Sequence, residues 1–350
     1  MAVLEGRGNL LKADVEALVN TVNTVGVMGK GVALQFKKAF PENFRAYKAA
    51  CDRSEVRLGQ VFIYSTGRLD RRPAYIINFP TKEHWRSKAR LSDIESGLEH
   101  LVKEVERLGI ESIAIPPLGC GLGGLDWDDV RPHILEALAP LGGLTAYLYP
   151  PVQTPTAADM PVASDPPDLT RVRTALLALL DKYTGSAGRG ATPIEVHKLA
   201  YLLERVGEPL DLRFAKGRYG PYSSRLEHAL ERLEGHYIVG VGDRSKAIQS
   251  AEPIVMHGDH GGEVAKAAQE FGVLGNVDRV MALVDGFSSS YGTELLATVD
   301  WAAHESDGAD DVQVLVSAIH EWSRRKARLF SPSHVGAAVD RLREFDLIDD

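Results

Sequence analysis

Six prolines fall among the nineteen residues 150–168, PPVQTPTAADMPVASDPPD, a stretch with no basic side chain and no apolar periodicity. Proline fixes φ and removes a backbone donor, so such a run builds neither a helix interior nor a central strand. It reads as a stiff, polyproline-like spacer between independently folded units. The chain of 350 residues thereby divides into a first domain, 1–150, a linker, 151–168, and a second domain, 169–350. Each domain is long enough to bury a core.

Before the spacer, apolar and largely β-branched runs predict strands at 17–20, 61–65, 75–79, 112–116 and 144–149. Helical patterns lie between them at 31–40, 42–51, 93–108 and 127–138. Pro41 separates the first two helices, and Ser92 with Glu95 has the spacing of a capping box for the third. This alternation predicts an α/β/α sandwich with a mixed, largely parallel sheet, whose ligands bind beyond the carboxyl ends of the strands. After the spacer the pattern is mainly helical, at 169–183, 193–205, 223–234, 263–271, 277–287, 291–304, 310–323 and 333–345.

Charge separates the two parts as sharply. The whole chain carries a net −8. Residues 1–150 hold 19 basic and 18 acidic side chains, and residues 151–350 hold 21 and 30, so the parts carry +1 and −9. Within the first, residues 30–90 hold 14 basic and 5 acidic groups, a local excess of +9. A basic stretch beside an acidic half allows a nucleic-acid contact that the total conceals. The two cysteines, Cys51 and Cys120, have no CxxC partner, which excludes a disulfide scaffold and a zinc ribbon. The eleven histidines show no HExxH or HxxxH spacing, so no metal is expected. No apolar run nears the roughly 20 residues of a membrane span. The beginning MAVLEGRGNLL also lacks the features of a signal peptide, so a cytoplasmic location is expected.

Two glycine-rich segments stand where strands should end. In NTVNTVGVMGKGVALQF, residues 20–36, Gly29, Lys30, Gly31 and Val32 precede or open a helix, where unpaired N–H groups would face an anion. In PPLGCGLGGLDW, residues 116–127, Gly119, Cys120, Gly121, Leu122, Gly123 and Gly124 join a strand to a helix. Neither matches GxxxxGK[ST] or GxGxxG, and one such loop alone is an ordinary tight turn. Two in one α/β domain point to a diphosphate ligand.

Taken together, GNLLKADVEALVNTVNTVGVMGKGVALQF and IPPLGCGLGGLDW resemble the macrodomains, ADP-ribose-binding α/β/α sandwiches, over about residues 3–150. The resemblance implies that Asn20 and Asn23 form the VNxxN element, with Asn23 against the distal ribose. It implies that Gly29–Val32 and residues 119–124 cradle the diphosphate. Asn9, beside Leu10, stands where many macrodomains carry an Asp that holds the adenine amino group; an Asn carbonyl or a backbone N–H could replace it.

The run NFPTKEHWRSKARLSDIESGLEHL, with GCGLGGLDW, is similar to terminal ADP-ribose protein glycohydrolases and, more closely, to the DarG family. DarG macrodomains remove ADP-ribose from thymidine in DNA and so reverse the toxin DarT. The resemblance implies that Lys82, preceded by Thr81, acts on the distal ribose together with Asn23. Protein glycohydrolases carry a catalytic Asp after GCGL, and here that position is Gly123. A thymine imide leaves as a delocalised anion, so an ammonium beside it can stabilise the departing charge. A neutral amine could instead attack the opened ribose as a Schiff base. No cofactor is implied, ADP-ribose being ligand and product.

Trp85 offers a surface for base stacking or a buried ring, and Arg86, Lys88 and Arg90 extend the basic stretch where a single-stranded DNA backbone would pass. Cys120 lacks a His–acid partner and reads as a packing residue, as does Cys51. The segment IEVHKLAYLLERVGEPLDLRFAKGRYGPYSSRLEHAL, residues 194–230, resembles the helical domain of DarG proteins, which implies that it binds the toxin DarT. Residues 294–311 hold six acids and no Lys or Arg, an acidic surface able to imitate DNA phosphates. Two alternatives stay open: a module that binds ADP-ribose without hydrolysing it, and a glycohydrolase acting on ADP-ribosylated proteins.

Overall fold

The structure is a computed structural model and describes residues 1–67, 72–151, 155–305 and 311–349. It contains two compact units: Met1–Asp165 together with the short segment Gly242–Ser245, and Pro166–Val241 together with Lys246–Asp350. Among the described residues no helix is long and apolar enough to cross a membrane.

The first unit is built on a six-stranded sheet of β1 (Ala2–Glu5), β2 (Ala17–Asn23), β3 (Phe62–Ser65), β4 (Tyr75–Lys82), β5 (Ser112–Ile115) and β6 (Thr145–Leu148). The order is β1-β6-β5-β2-β4-β3, parallel except for β3, which runs antiparallel to β4. Strand β2, ALVNTVN, is buried along almost its whole length, as a central strand covered on both faces must be. Helices α1 (Gly31–Ala39) and α2 (Pro41–Asp52) lie against one face, with Leu18, Phe36 and Ile76 in a shared core. Helices α3 (Leu91–Leu108) and α4 (Trp127–Leu138) cover the other through Ile94, Leu98, Leu101, Ile134 and Leu138. Pro41 occupies the first turn of α2, where its missing N–H costs no hydrogen bond.

Two expectations need correction here. Helix α3 starts at Leu91 with Arg90 as N-cap and no side-chain cap, so Ser92 lies inside the helix and forms no capping box with Glu95. Leu91 packs on the core and draws the first turn in. Strand β1 has no counterpart among the predicted strands because it is an edge strand with mostly exposed side chains, including Leu4 at 46% exposure.

Part of the proline-rich segment is docked on this unit. Ala157 is buried, Asn9 donates its Nδ2–H to the Asp159 carbonyl at 2.9 Å, and Ala163 N–H donates to the Lys38 carbonyl. Residues 152–154 of the segment lie outside the described residues.

The second unit contains helices α5 (Arg171–Ala187) and α6 (Pro193–Arg205), the hairpin β7 (Ala215–Gly217) and β8 (Gly220–Tyr222), and α7 (Ser224–Leu233). The short pair β9 (Ile238–Val239) and β10 (Val255–Met256) follows, then α8 (Gly261–Glu270), α9 (Leu274–Leu283), α10 (Ser290–Glu305), α11 (Val312–Trp322), α12 (Arg324–Leu329) and α13 (Pro332–Arg343). Helix α6 carries a complete capping box between Thr192 and Glu195. Helix α10 is central, buried on nearly all sides against α6, α11 and α13.

That burial takes two of the six acids of 294–311 out of the expected acidic surface, while Glu305 and Asp311 are exposed. Glu294 and Asp300 face inward at 2% and 0% exposure. Glu294 accepts from Lys326 Nζ at 2.9 Å and from Arg325, and Asp300 accepts from Arg205 Nε at 2.9 Å and from Tyr201. A carboxylate can enter such a core only when paired in this way. Asp307 and Asp310 lie outside the described residues.

Candidate functional site

The site lies beyond the carboxyl ends of β2 and β4. The register pairs Val22 with Pro80 and then Asn23 with Lys82, so Thr81 forms a bulge and Lys82 is brought level with Asn23. Bulges commonly re-aim a side chain beside a functional site. Lys82 Nζ donates to the carbonyls of Leu122 at 3.0 Å and Trp85 at 3.2 Å. Burial lowers its pKa below that of an ordinary lysine.

Asn23 is nearly buried and folds the turn that follows it. Its Oδ1 accepts from Val25 N–H and Val27 N–H, and its Nδ2 donates to the Val27 carbonyl at 2.6 Å. The Tyr47 hydroxyl donates to the Asn23 carbonyl at 2.6 Å, and burial pushes its pKa far up, keeping it a donor. Thr24 donates twice to the Glu83 carbonyl and ties the β2 turn to the β4 turn.

The glycine loops face each other across this point. Gly29 and Lys30 lead into α1, whose first-turn N–H groups have no partner within the helix. The Gly31 N–H is engaged by the Asp243 carbonyl at 2.8 Å, so it does not face the ligand space as expected. In the second loop Gly119 holds φ +73°, and a Cβ there would stand 2.9 Å from Leu125. At Gly123 a Cβ would meet the Gly119 carbonyl oxygen at 2.3 Å and Ala89 Cβ at 3.0 Å. The loop as folded has no room for the acid that protein glycohydrolases carry at this position.

These elements enclose a cavity of about 700 Å³. Asn9, Leu10, Asn23, Gly29, Lys30, Gly31, Val32, Thr81, Lys82, Trp85, Arg86, Gly119, Gly121, Leu122 and Gly123 line it. Gly124 lies outside that lining, as does Cys120, whose thiol donates to the Leu118 carbonyl and is pushed up to about 11 by burial. Asn20 lies beneath, fully buried, with its Nδ2 donating to Asn78 Oδ1 at 3.0 Å. Lys88 and Arg90 are exposed residues outside the lining. Trp85 is 46% exposed, with the Arg86 guanidinium 4.4 Å from its ring centre. Asn9 uses its Oδ1 to cap a short turn, accepting from Leu11 N–H.

Sequence reasoning missed several cavity residues. Tyr149, Pro150 and Pro151 follow β6 and were assignable from the rule that ligands bind beyond strand ends. Gln35 lies one turn inside α1, on the same face as Gly31. Asp243 and Ser245 come from far along the chain, and no local pattern marks them.

The sheet order, the two loops and the cavity define a macrodomain, and residues 19–134 match the family model described as Macro domain. A DNA ADP-ribosyl glycohydrolase of Thermus aquaticus is 45% identical over 345 residues, covering 96% of this chain and 91% of the relative. The chain belongs to the DNA ADP-ribosyl glycohydrolase family, the DarG family. A Thermosipho africanus DNA ADP-ribosyl transferase–DNA ADP-ribosyl glycohydrolase fusion protein is 34% identical over 160 residues, 42% of this chain and 41% of the fusion. Among solved structures, the macrodomain of Mycobacterium tuberculosis DarG is 54% identical, covering 43% of this chain and 97% of that chain, with a TM-score of 0.42.

Proposed function

We propose that the first unit hydrolyses the N-glycosidic bond joining ADP-ribose to thymidine in single-stranded DNA, in the cytoplasm and without a cofactor. The observation that carries this reading is Lys82 inside the cavity, held level with Asn23 and beside a second glycine loop with no room for an acid. The glycine loops hold the diphosphate, and Asn23 and Lys82 meet the distal ribose. Water adds to the anomeric carbon as the C–N bond breaks, and the imide leaves with the electron pair. Lys82 stabilises that charge with an N–H, its other two N–H groups being held by the Leu122 and Trp85 carbonyls. The imide then takes a proton, giving free ADP-ribose and unmodified thymidine.

The lowered pKa of Lys82 favours a second reading, in which the neutral amine attacks the opened ribose. Borohydride traps a Schiff base and so separates the two. Support for a DNA substrate comes from the exposed Trp85 with Arg86 at the cavity and from the names of the relatives. Lys88 and Arg90 extend that contact along the strand. The second unit binds a DarT-type transferase, a reading supported by the fusion of the two activities in one relative and by the acidic excess after residue 150.

Incubating thymidine-ADP-ribosylated oligonucleotide with the wild type and with Lys82→Ala tests the reaction. Release of ADP-ribose by the wild type alone is expected. Release by neither leaves a binding module or a glycohydrolase for ADP-ribosylated protein.

A further inference from the structure

We propose that Asp243, held by Ser245, belongs to the nucleotide site and accepts hydrogen bonds from the adenosine half of ADP-ribose. The proposal rests on the ADP-ribose reading above. Gly242–Ser245 packs as part of the first unit, although some eighty residues separate it from Asp165. Asp243 and Ser245 line the same cavity as the glycine loops, and Asp243 is its sole acidic residue among the described ones.

The carboxylate is built in. Asp243 is 5% exposed; its Oδ2 accepts from Gln35 Nε2 at 2.6 Å, and its Oδ1 accepts from Ser245 N–H at 3.0 Å and Ser245 Oγ at 2.6 Å. Its carbonyl takes the Gly31 N–H, fixing the segment to the start of α1. A Cβ on Gly242 would stand 3.6 Å from Ala157 Cβ and 3.7 Å from Met160 Cε. Between those two residues, the Asp159 carbonyl accepts from Asn9. Gly242 thus seats the segment beside the Asn9 end of the cavity, while the Asp243 carbonyl ties it to the start of α1.

Charge limits what this carboxylate can meet. It repels a diphosphate and attracts only donors. A carboxylate offers about four lone-pair sites, so acceptor capacity remains beyond the three donors named. With the diphosphate on the glycine loops and the distal ribose at Lys82, the remaining donors of ADP-ribose are the adenosine hydroxyls and the adenine 6-amino group.

Calorimetric titration of the full-length chain with ADP-ribose tests this. Asp243→Asn is expected to bind about tenfold more weakly than the wild type, the scale of one charge-assisted hydrogen bond. Ser245→Ala, which removes one of the two bonds holding Oδ1, is expected to weaken binding in the same direction if the first variant misfolds. Two ligand analogues, one lacking the 6-amino group and one the adenosine 2′-hydroxyl, identify the donor. The analogue without it loses affinity for the wild type and no more for Asp243→Asn. Equal or tighter ADP-ribose binding by both folded variants overturns the proposal alone. A wild type that does not bind ADP-ribose overturns the underlying reading as well.

Discussion

The side-chain nitrogen of Lys82 lies 3.0 Å from the carbonyl oxygen of Leu122, so the lysine at the end of β4 fastens the second glycine loop. One side chain therefore joins the second glycine loop to the part of the cavity lined by Asn23. Removing it should affect chemistry more than ligand capture. Lys82→Ala is expected to lower kcat on ADP-ribosylated oligonucleotide by at least about 100-fold, the scale of losing one preorganised donor. ADP-ribose affinity should fall less than about tenfold, since in the proposed function the diphosphate contacts come from backbone. Parallel kinetics and calorimetry check the split.

The pH profile follows from the same residue. Burial lowers the Lys82 pKa, so its charge is lost at a lower pH than for an exposed lysine. If the cation stabilises the leaving imide, kcat falls as pH rises through that lowered pKa. A profile that rises through it, with borohydride-trapped protein, identifies the neutral amine as nucleophile.

Gly123 sets a steric limit. Because its Cβ would meet the Gly119 carbonyl at 2.3 Å, Gly123→Asp must displace the loop. The variant is expected to bind ADP-ribose at least about tenfold more weakly, a loss of about 1.4 kcal/mol, and to gain no activity on ADP-ribosylated protein. Thermal unfolding and both substrate assays provide the check.

Much of this site is legible in the sequence because it depends on local backbone. Glycines at strand ends, Asn23 of the VNxxN element and Lys82 of the TK element are local marks, and most of these positions line the cavity. Asn20 shows the limit: it shares a motif with Asn23, yet alternation along β2 puts one under the sheet surface and the other at the cavity. The edge strand β1 was illegible because an exposed strand has no apolar signature. Glu294 and Asp300 were misread because burial inside α10 depends on partners at Arg205, Arg325 and Lys326, distant in sequence.

Those buried pairs predict stability effects in the second unit. Glu294→Ala leaves Lys326, itself fully buried, without its carboxylate. Breaking such a pair costs about 3–5 kcal/mol, to be read from denaturant unfolding of the full chain.

Lys198 gives a pH dependence whose sign is opposite to that of a stabilised cation. Its pKa is pushed from the ordinary 10.5 to about 7, chiefly by burial, with Glu294 opposing and Lys326 reinforcing the shift. Between those values the unfolded chain binds the additional proton, so this group's contribution to stability rises with pH. Relative to Lys198→Met, the wild type is expected to gain thermal stability from about pH 7 to about pH 9. A difference independent of pH contradicts the assignment.

The substrate is decided by presenting the wild-type chain, at equal concentrations, with a thymidine-ADP-ribosylated oligonucleotide and a glutamate-ADP-ribosylated protein. Initial rates of ADP-ribose release from each are then compared. Rapid release from the oligonucleotide and little from the protein is the predicted result. Release from the protein alone, or from neither, contradicts the function assigned to Lys82 and its glycine loops.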